Sequence, residues 1–177
     1  DEERENEVDS LLHLVERQVR IVFESYQAAT KLNITRGQSM EYANLARCLE
    51  RMMDHANNMT HFVVAHTNHI NELRISPPVS SLPLWQEALK ELMINIRTQD
   101  SHRIETARHQ LKTLQTELKA FESSVYESEK KSRLLAASLT VSESVRRLCA
   151  YSRDFGEILL NMKLASLIKE VKGLAQY

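Results

Sequence analysis

The chain has 177 residues, enough to bury a core without disulfides or structural metal, and only three Gly and three Pro, too few for a loop-rich or all-β fold. Its 23 Lys plus Arg stand against 24 Asp plus Glu, so the basic excess or basic stripe of a nucleic-acid binder is absent. Apolar runs such as Phe62-Val63-Val64-Ala65 fall far short of the roughly 20 residues a bilayer span needs, and with no secretory h-region the expectation is a soluble, cytoplasmic protein. Cys48 and Cys149 lie inside helical patterns and read as small buried hydrophobes rather than as a disulfide. The chain opens on Asp1, within an amphipathic charged pattern, which predicts a fragment whose upstream part is missing.

The first stripe is Val8, Leu12, Val15, Val19, Val22, Tyr26 and Ala29, with alternating steps of four and three that predict a helix ending near Asn33. Thr35-Arg-Gly-Gln38 reads as a turn with a capping box. A second stripe, Tyr42, Leu45, Leu49, Met52, Ala56, Met59, Val63, His66 and Ile70, runs to Pro77-Pro78, where a helix interior cannot continue. Two such helices, each on the order of 50 Å long, must fold back as an antiparallel hairpin.

Residues 77–83 have the linker-like composition, which places a boundary between a first unit, 1–76, and a second, 84–177. A shorter helix carrying Trp85, Leu89, Leu92 and Ile96 is expected to end around Thr98, and Asp100 or Ser101 to cap the next, whose stripe is Ile104, Ala107, Leu111, Leu114, Leu118, Phe121 and Val125. The last helix shows Val141, Val145, Leu148, Phe155, Leu159 and Met162, with Gly173 as its stop. Thr140-Val-Ser-Glu143 reads as a second capping box, and the preceding turn falls anywhere from about 126 to 140. Five helices result, a hairpin and a three-helix unit, and apolar stripes of this kind pack into two adjacent bundles.

The densest polar constellation is in the second helix, from Arg47 to Asn58. Glu50 and Asp54 are four apart and share a face. Their repulsion, a few tenths of a kcal/mol or about that in an isolated helix, must be offset by Arg47, by Arg51 or by a bound cation. Carboxylates one turn apart bridge a hard metal when a neighbouring helix adds oxygen ligands; the plainer reading is a solvated face of weak local ion pairs. His66 and His69 are three apart but have no acid or Cys with them, so a hydrogen-bonded rim or core role is expected. Met52 and Met53 read as gap-filling core, Trp85 as an anchor for the third helix. Gly156, a mid-helix glycine costing about 1 kcal/mol against alanine, reads as close helix packing opposite small positions like Ala56.

The segment Ala46-Arg-Cys-Leu-Glu50-Arg-Met-Met-Asp54-His55-Ala-Asn-Asn58 resembles the signature of the PhoU family, a Leu-Glu-Arg-x-x-Asp-His core followed by Asn. A weaker copy lies in Ser144-Val-Arg-Arg147-Leu-Cys-Ala-Tyr151-Ser-Arg-Asp154-Phe-Gly-Glu157, and setting Arg47 on Arg147 also sets Asp54 on Asp154. The first helix, with Glu7-Val-Asp9-Ser-Leu11 and Arg17-Gln18, is similar to the helix before that motif. The resemblance implies an all-α fold of two PhoU-like bundles of long antiparallel helices related by an internal repeat, the first lacking its first helix here. It also implies zinc or iron at a Glu/Asp-x-x-x-Asp motif in each repeat. By position the metal residues would be Glu50 and Asp54, then Asp154; Ala150 stands where the second glutamate belongs, leaving Glu157 to supply that oxygen from one turn on. Arg47, Arg51, His55, Asn58 and Arg147 support the motif.

Function follows in three classes. A PhoU-like chain would be a non-catalytic regulator of phosphate uptake and homeostasis, contacting the ATP-binding subunit of a phosphate transporter or a sensor kinase, with no nucleic-acid contact from this segment and with a homodimer as a further expectation. A di-iron carboxylate enzyme needs Glu-x-x-His pairs, and none of the seven histidines has Glu three residues before it; Gly-rich phosphate loops, Gly-x-Ser-x-Gly and Cys-x-x-Cys are absent too. A metal-free helical adaptor or dimerisation module, unrelated to phosphate, fits the periodicity equally well.

Overall fold

The computed structural model describes residues 2–65, 76–127 and 133–174. Among them every regular element is helical and none is a strand. Helix α1 spans Glu2–Glu24 and α2 spans Tyr26–Leu32. The stripe expected to run unbroken to Asn33 is interrupted at Ser25, whose extended backbone and side chain, accepting the Ala28 N–H at 3.2 Å, start a new helix. Serine offers the backbone this local alternative more readily than an aliphatic residue does. The second helix stops where expected: Asn33 adopts the left-handed conformation (φ 50°) that asparagine tolerates.

Helix α3, Arg36–Ala65, opens on the capping box read from the sequence. The Gln38 N–H donates to Thr35 Oγ1 at 3.2 Å, and the Thr35 N–H donates back to Gln38 Oε1 at 3.0 Å. Two donors that would otherwise be orphaned at the helix start are thereby satisfied. The rest of the second stripe, His66 and Ile70 included, lies outside the described residues.

The proline segment folds into helix rather than remaining an irregular linker. Pro77–Ser80 forms a single turn, α4, and α5 follows from Leu82 to Thr98 with Pro83 in its first turn. Prolines at these opening positions cost no hydrogen bond, because those N–H groups have no helical partner. Ser81 Oγ donates back to the carbonyls of Pro77 and Pro78, at 2.8 and 3.0 Å, and Pro78 is buried. Gln99 (φ 48°) ends α5, and Asp100 caps α6, Ser101–Glu127, by accepting the N–H groups of His102 and Arg103.

Helix α7 spans Arg133–Leu174, and the second capping box read from the sequence falls inside it. Thr140 is not a cap: its hydroxyl donates to the Ala136 carbonyl in mid-helix, and Ala137, Val141 and Val145 continue one buried stripe through it. Of the range 126–140 in which the turn is expected, residues 133–140 are helical and 128–132 lie outside the described residues. Gly173, read as the stop, lies within one residue of the last described helical residue, Leu174.

Helix α3 packs on α1 along one side and on α7 along the other, while α5, α6 and α7 pack against one another. The buried centre is continuous across these elements. Leu45, Cys48 and Met52 of α3 share it with Leu92 of α5, Ile104, Leu111 and Leu118 of α6, and Val145, Leu148, Phe155 and Leu159 of α7. Each large side chain removed from water here contributes about 1.5–3 kcal/mol.

Candidate functional site at the α3–α7 seam

The motif helix crosses α7 in antiparallel register, and a serine sits at the crossing. Ser152 is fully buried; its hydroxyl accepts the Trp85 Nε1–H at 2.9 Å, donates to the Leu148 carbonyl at 2.9 Å, and lies 3.2 Å from Met52 Sδ. Three helices therefore meet at one satisfied polar atom. Trp85 anchors the start of α5, as its sequence position suggested, by reaching this serine across 67 residues. Met52 is buried core and Met53 half-buried.

One turn outward, two side chains of α3 grip Tyr151. The Arg51 guanidinium carbon stands 5.5 Å from the ring centroid, and the His55 ring stacks on the same tyrosine at 5.7 Å with planes 27° apart. Burial, then the Arg147 guanidinium, hold His55 below its ordinary value of 6.5, against the opposing charges of Asp54 and Glu143. The ring is thus neutral at pH 7, which suits an apolar stack.

Glu50 and Asp54 do share an edge, and of the two arginines only Arg51 bears on it. Arg47 leaves the helix for α1, donating from Nη2 to Glu16 Oε1 at 3.0 Å, and that bond holds the Glu16 carboxyl below its ordinary 4.5. Arg51 lies over the Tyr151 ring, and its charge still works against the rise of the Glu50 carboxyl. The repulsion shows in the carboxyl itself: Glu50 is pushed above 4.5, first by burial, then by the Asp54 charge and a hydrogen bond shared with Asp54, with Asp9 of α1 adding to it and Arg51 opposing. Among the described residues no group of three or more His, Cys, Asp or Glu is placed to hold a metal ion. The donor set present is a two-carboxylate edge, and by itself it does not fit a zinc or iron centre.

The second motif copy is arranged differently. Asp154 is exposed and near enough to Cys48 to help burial raise that thiol. Glu157, the proposed stand-in ligand, instead accepts from Arg108 Nη2 of α6 at 3.3 Å, and the same guanidinium donates to Glu105 at 2.8 Å. Arg147 is exposed, 3.8 Å from Glu143, and Asn58 is exposed on α3. Gly156 does mark close packing, but its neighbour is no small residue. A Cβ there would lie 2.7 Å from Arg108 Cγ and 3.2 Å from Leu92 Cδ2. His66 and His69 lie outside the described residues. Sequence reasoning missed Asp9, Glu16 and Arg108, each of which acts across helices and has no local spacing to betray it.

Comparison with known proteins adds one finding. A family model described as the PhoU domain matches residues 2–63, about a third of the chain. No curated protein and no solved structure matches it. The matched segment holds α1, α2 and almost all of α3, including the Glu50–Asp54 edge, and PhoU proteins are regulators with a general role in phosphate regulation. Residues 2–63 are thus similar to the PhoU domain.

Proposed function

We propose that this chain is a non-catalytic, cytoplasmic regulator of phosphate uptake that works by presenting the α3–α7 seam to a protein partner, the ATP-binding subunit of a phosphate transporter or a sensor kinase. The observation that carries this reading is the family match over the helix whose polar edge, Glu50, Asp54 and Asn58, projects beside the rigid Arg51–Tyr151–His55 stack. A surface pinned at Ser152 by three helices keeps its shape on docking, so little ordering entropy opposes association. No helix of the described residues is long and apolar enough to cross a membrane.

The two-repeat organisation, 1–76 and 84–177, belongs to the same proposal. The motif copies are offset by 100 residues, Arg47 against Arg147, and the residues that touch at the crossing are offset likewise: Met52 meets Ser152 and Arg51 meets Tyr151. Equivalent residues of two antiparallel helices meet each other when a two-fold axis passes through the contact. That juxtaposition supports an internal repeat with α3 and α7 as its counterparts.

The test is capture of the transporter's ATP-binding subunit by the immobilised chain, against an unrelated helical bundle of similar charge. Enrichment that falls several-fold in Asp54→Ala/Arg147→Ala is expected. Equal capture by the control overturns the proposal and leaves a helical adaptor without a phosphate connection.

A further inference from the structure

Helix α1 lies on α3 as α6 lies on α7, yet the two are held very differently. Helix α6 also packs on α4 and α5, and Ile104, Ala107, Leu111, Leu114 and Leu118 are buried along its length. Helix α1 packs on α3 and α2; of residues 3–24 only Val22 is buried, while Val8, Leu12, Val15 and Val19 are half-buried. A helix with so few buried apolar side chains opens locally at a lower free energy than the core does. Its junction suits such a movement. Ser25 is extended (φ −124°, ψ 109°), so rotation at this one residue moves α1 without unwinding α2.

The polar tie across this light contact is ionic, and it involves the motif. Arg47 donates from Nη2 and Nε to Glu16 Oε1, at 3.0 and 3.3 Å, between two partly exposed side chains. Residues three apart on a helix are neighbours, so the same guanidinium, released from Glu16, comes within reach of Glu50. Asp9 also acts on Glu50 from α1, and its negative charge leaves the edge when α1 does. Helix α3 does not follow α1, because Leu45, Cys48 and Met52 hold it in the core shared with α5, α6 and α7.

We propose that α1 is a hinged arm that regulates the α3–α7 seam through Glu16, a positioning residue. With α1 docked, Glu16 draws Arg47 aside and leaves the Glu50–Asp54 edge open to the partner. With α1 lifted, Arg47 returns to Glu50 and closes that edge. Docking of α1 and binding of the partner are thereby coupled, and each favours the other. The regulatory role rests on the seam as the partner-binding surface; the arm itself does not.

Amide hydrogen exchange of the full chain tests the arm. Amides from Leu12 to Val19 should exchange about 100-fold faster than those from Leu111 to Leu118, and several-fold faster again in Glu16→Ala. Equal protection of the two stretches overturns the proposal. The NMR signal of the Glu50 carboxyl carbon should shift in Glu16→Ala and return when Arg47→Ala is added. A signal that does not move, or a shift that persists in the double variant, overturns the route through Arg47. Capture of the transporter's ATP-binding subunit should fall several-fold in Glu16→Ala and recover in Glu16→Ala/Arg47→Ala. Unchanged capture by Glu16→Ala, with capture still lost in Asp54→Ala/Arg147→Ala, overturns the regulation and leaves the seam reading in place. No capture by the wild type overturns the seam reading and the regulation with it, while hydrogen exchange still decides the arm.

Discussion

Glu50 is where the chemistry of the motif is most exposed to test. Its carboxyl titrates above 4.5 because burial and Asp54 disfavour the charged form. The folded chain therefore holds a proton that the unfolded chain has released, and stability falls as pH rises from 4.5 through the raised value. His55, held below 6.5, works in the opposite direction over pH 4.5 to 7 in both proteins, so the Glu50 contribution is read as a difference: urea midpoints of Glu50→Gln should gain on those of the wild type as pH rises, and Glu50→Gln should be the more stable protein at pH 7. A metal would reverse the sign, since a cation seated on both carboxylates makes the charged pair favourable. Two adjacent carboxylates without a third ligand predict no more than weak, chelator-labile divalent binding. Stoichiometric zinc or iron in protein purified without chelator, lost in Glu50→Ala/Asp54→Ala, would show instead that the edge nucleates a metal centre.

At the scale of the element, the informative helix position is Gly156. Alanine there would gain about 1 kcal/mol of helix propensity, but its Cβ would strike the Arg108 stem, where overpacking costs about 1–3 kcal/mol. Arg108 is held on both sides by Glu105 and Glu157 and has little room to give. Gly156→Ala is therefore expected to destabilise by about 1 kcal/mol. In an Arg108→Ala background, where Leu92 Cδ2 at 3.2 Å is the remaining tight neighbour, the cost should fall by about 1 kcal/mol or more. Denaturant melts of the four proteins form a double-mutant cycle, and equal effects in both backgrounds would remove Arg108 as the reason for the glycine. Helix ends by contrast follow local rules. Thr35 with Gln38 and Asp100 with His102 and Arg103 cap as their sequences read, whereas Thr140–Glu143 has the same chemistry and lies mid-helix. Continuous burial of Ala137, Val141 and Val145 outweighs a local preference worth about 1 kcal/mol.

For the molecule as a whole, the question is whether the first hairpin and the later helices melt together. Cys48 and Cys149 report on it from opposite sides of the seam. Burial pushes their thiols up to about 11 and about 12, so neither should react with a disulfide reagent at pH 8 in the folded state. Because Cys48, Cys149 and the side chains of α5 and α6 share one core, both thiols should become reactive at the same denaturant midpoint. Earlier reaction of Cys48 would mean that α1–α3 opens as a separate unit. The periodicity of the sequence by itself determined that the chain is helical, where its apolar stripes run, that both cysteines are buried, and that Glu50 and Asp54 share a face. These follow from a fixed 3.6-residue turn and nearest-neighbour chemistry. Only the tertiary structure decided what that face meets. Arg47 went to Glu16, Arg51 and His55 to Tyr151, and Glu157 to Arg108, since the choice of an ionic or aromatic partner depends on which helices lie within a few ångströms and not on spacing along one chain.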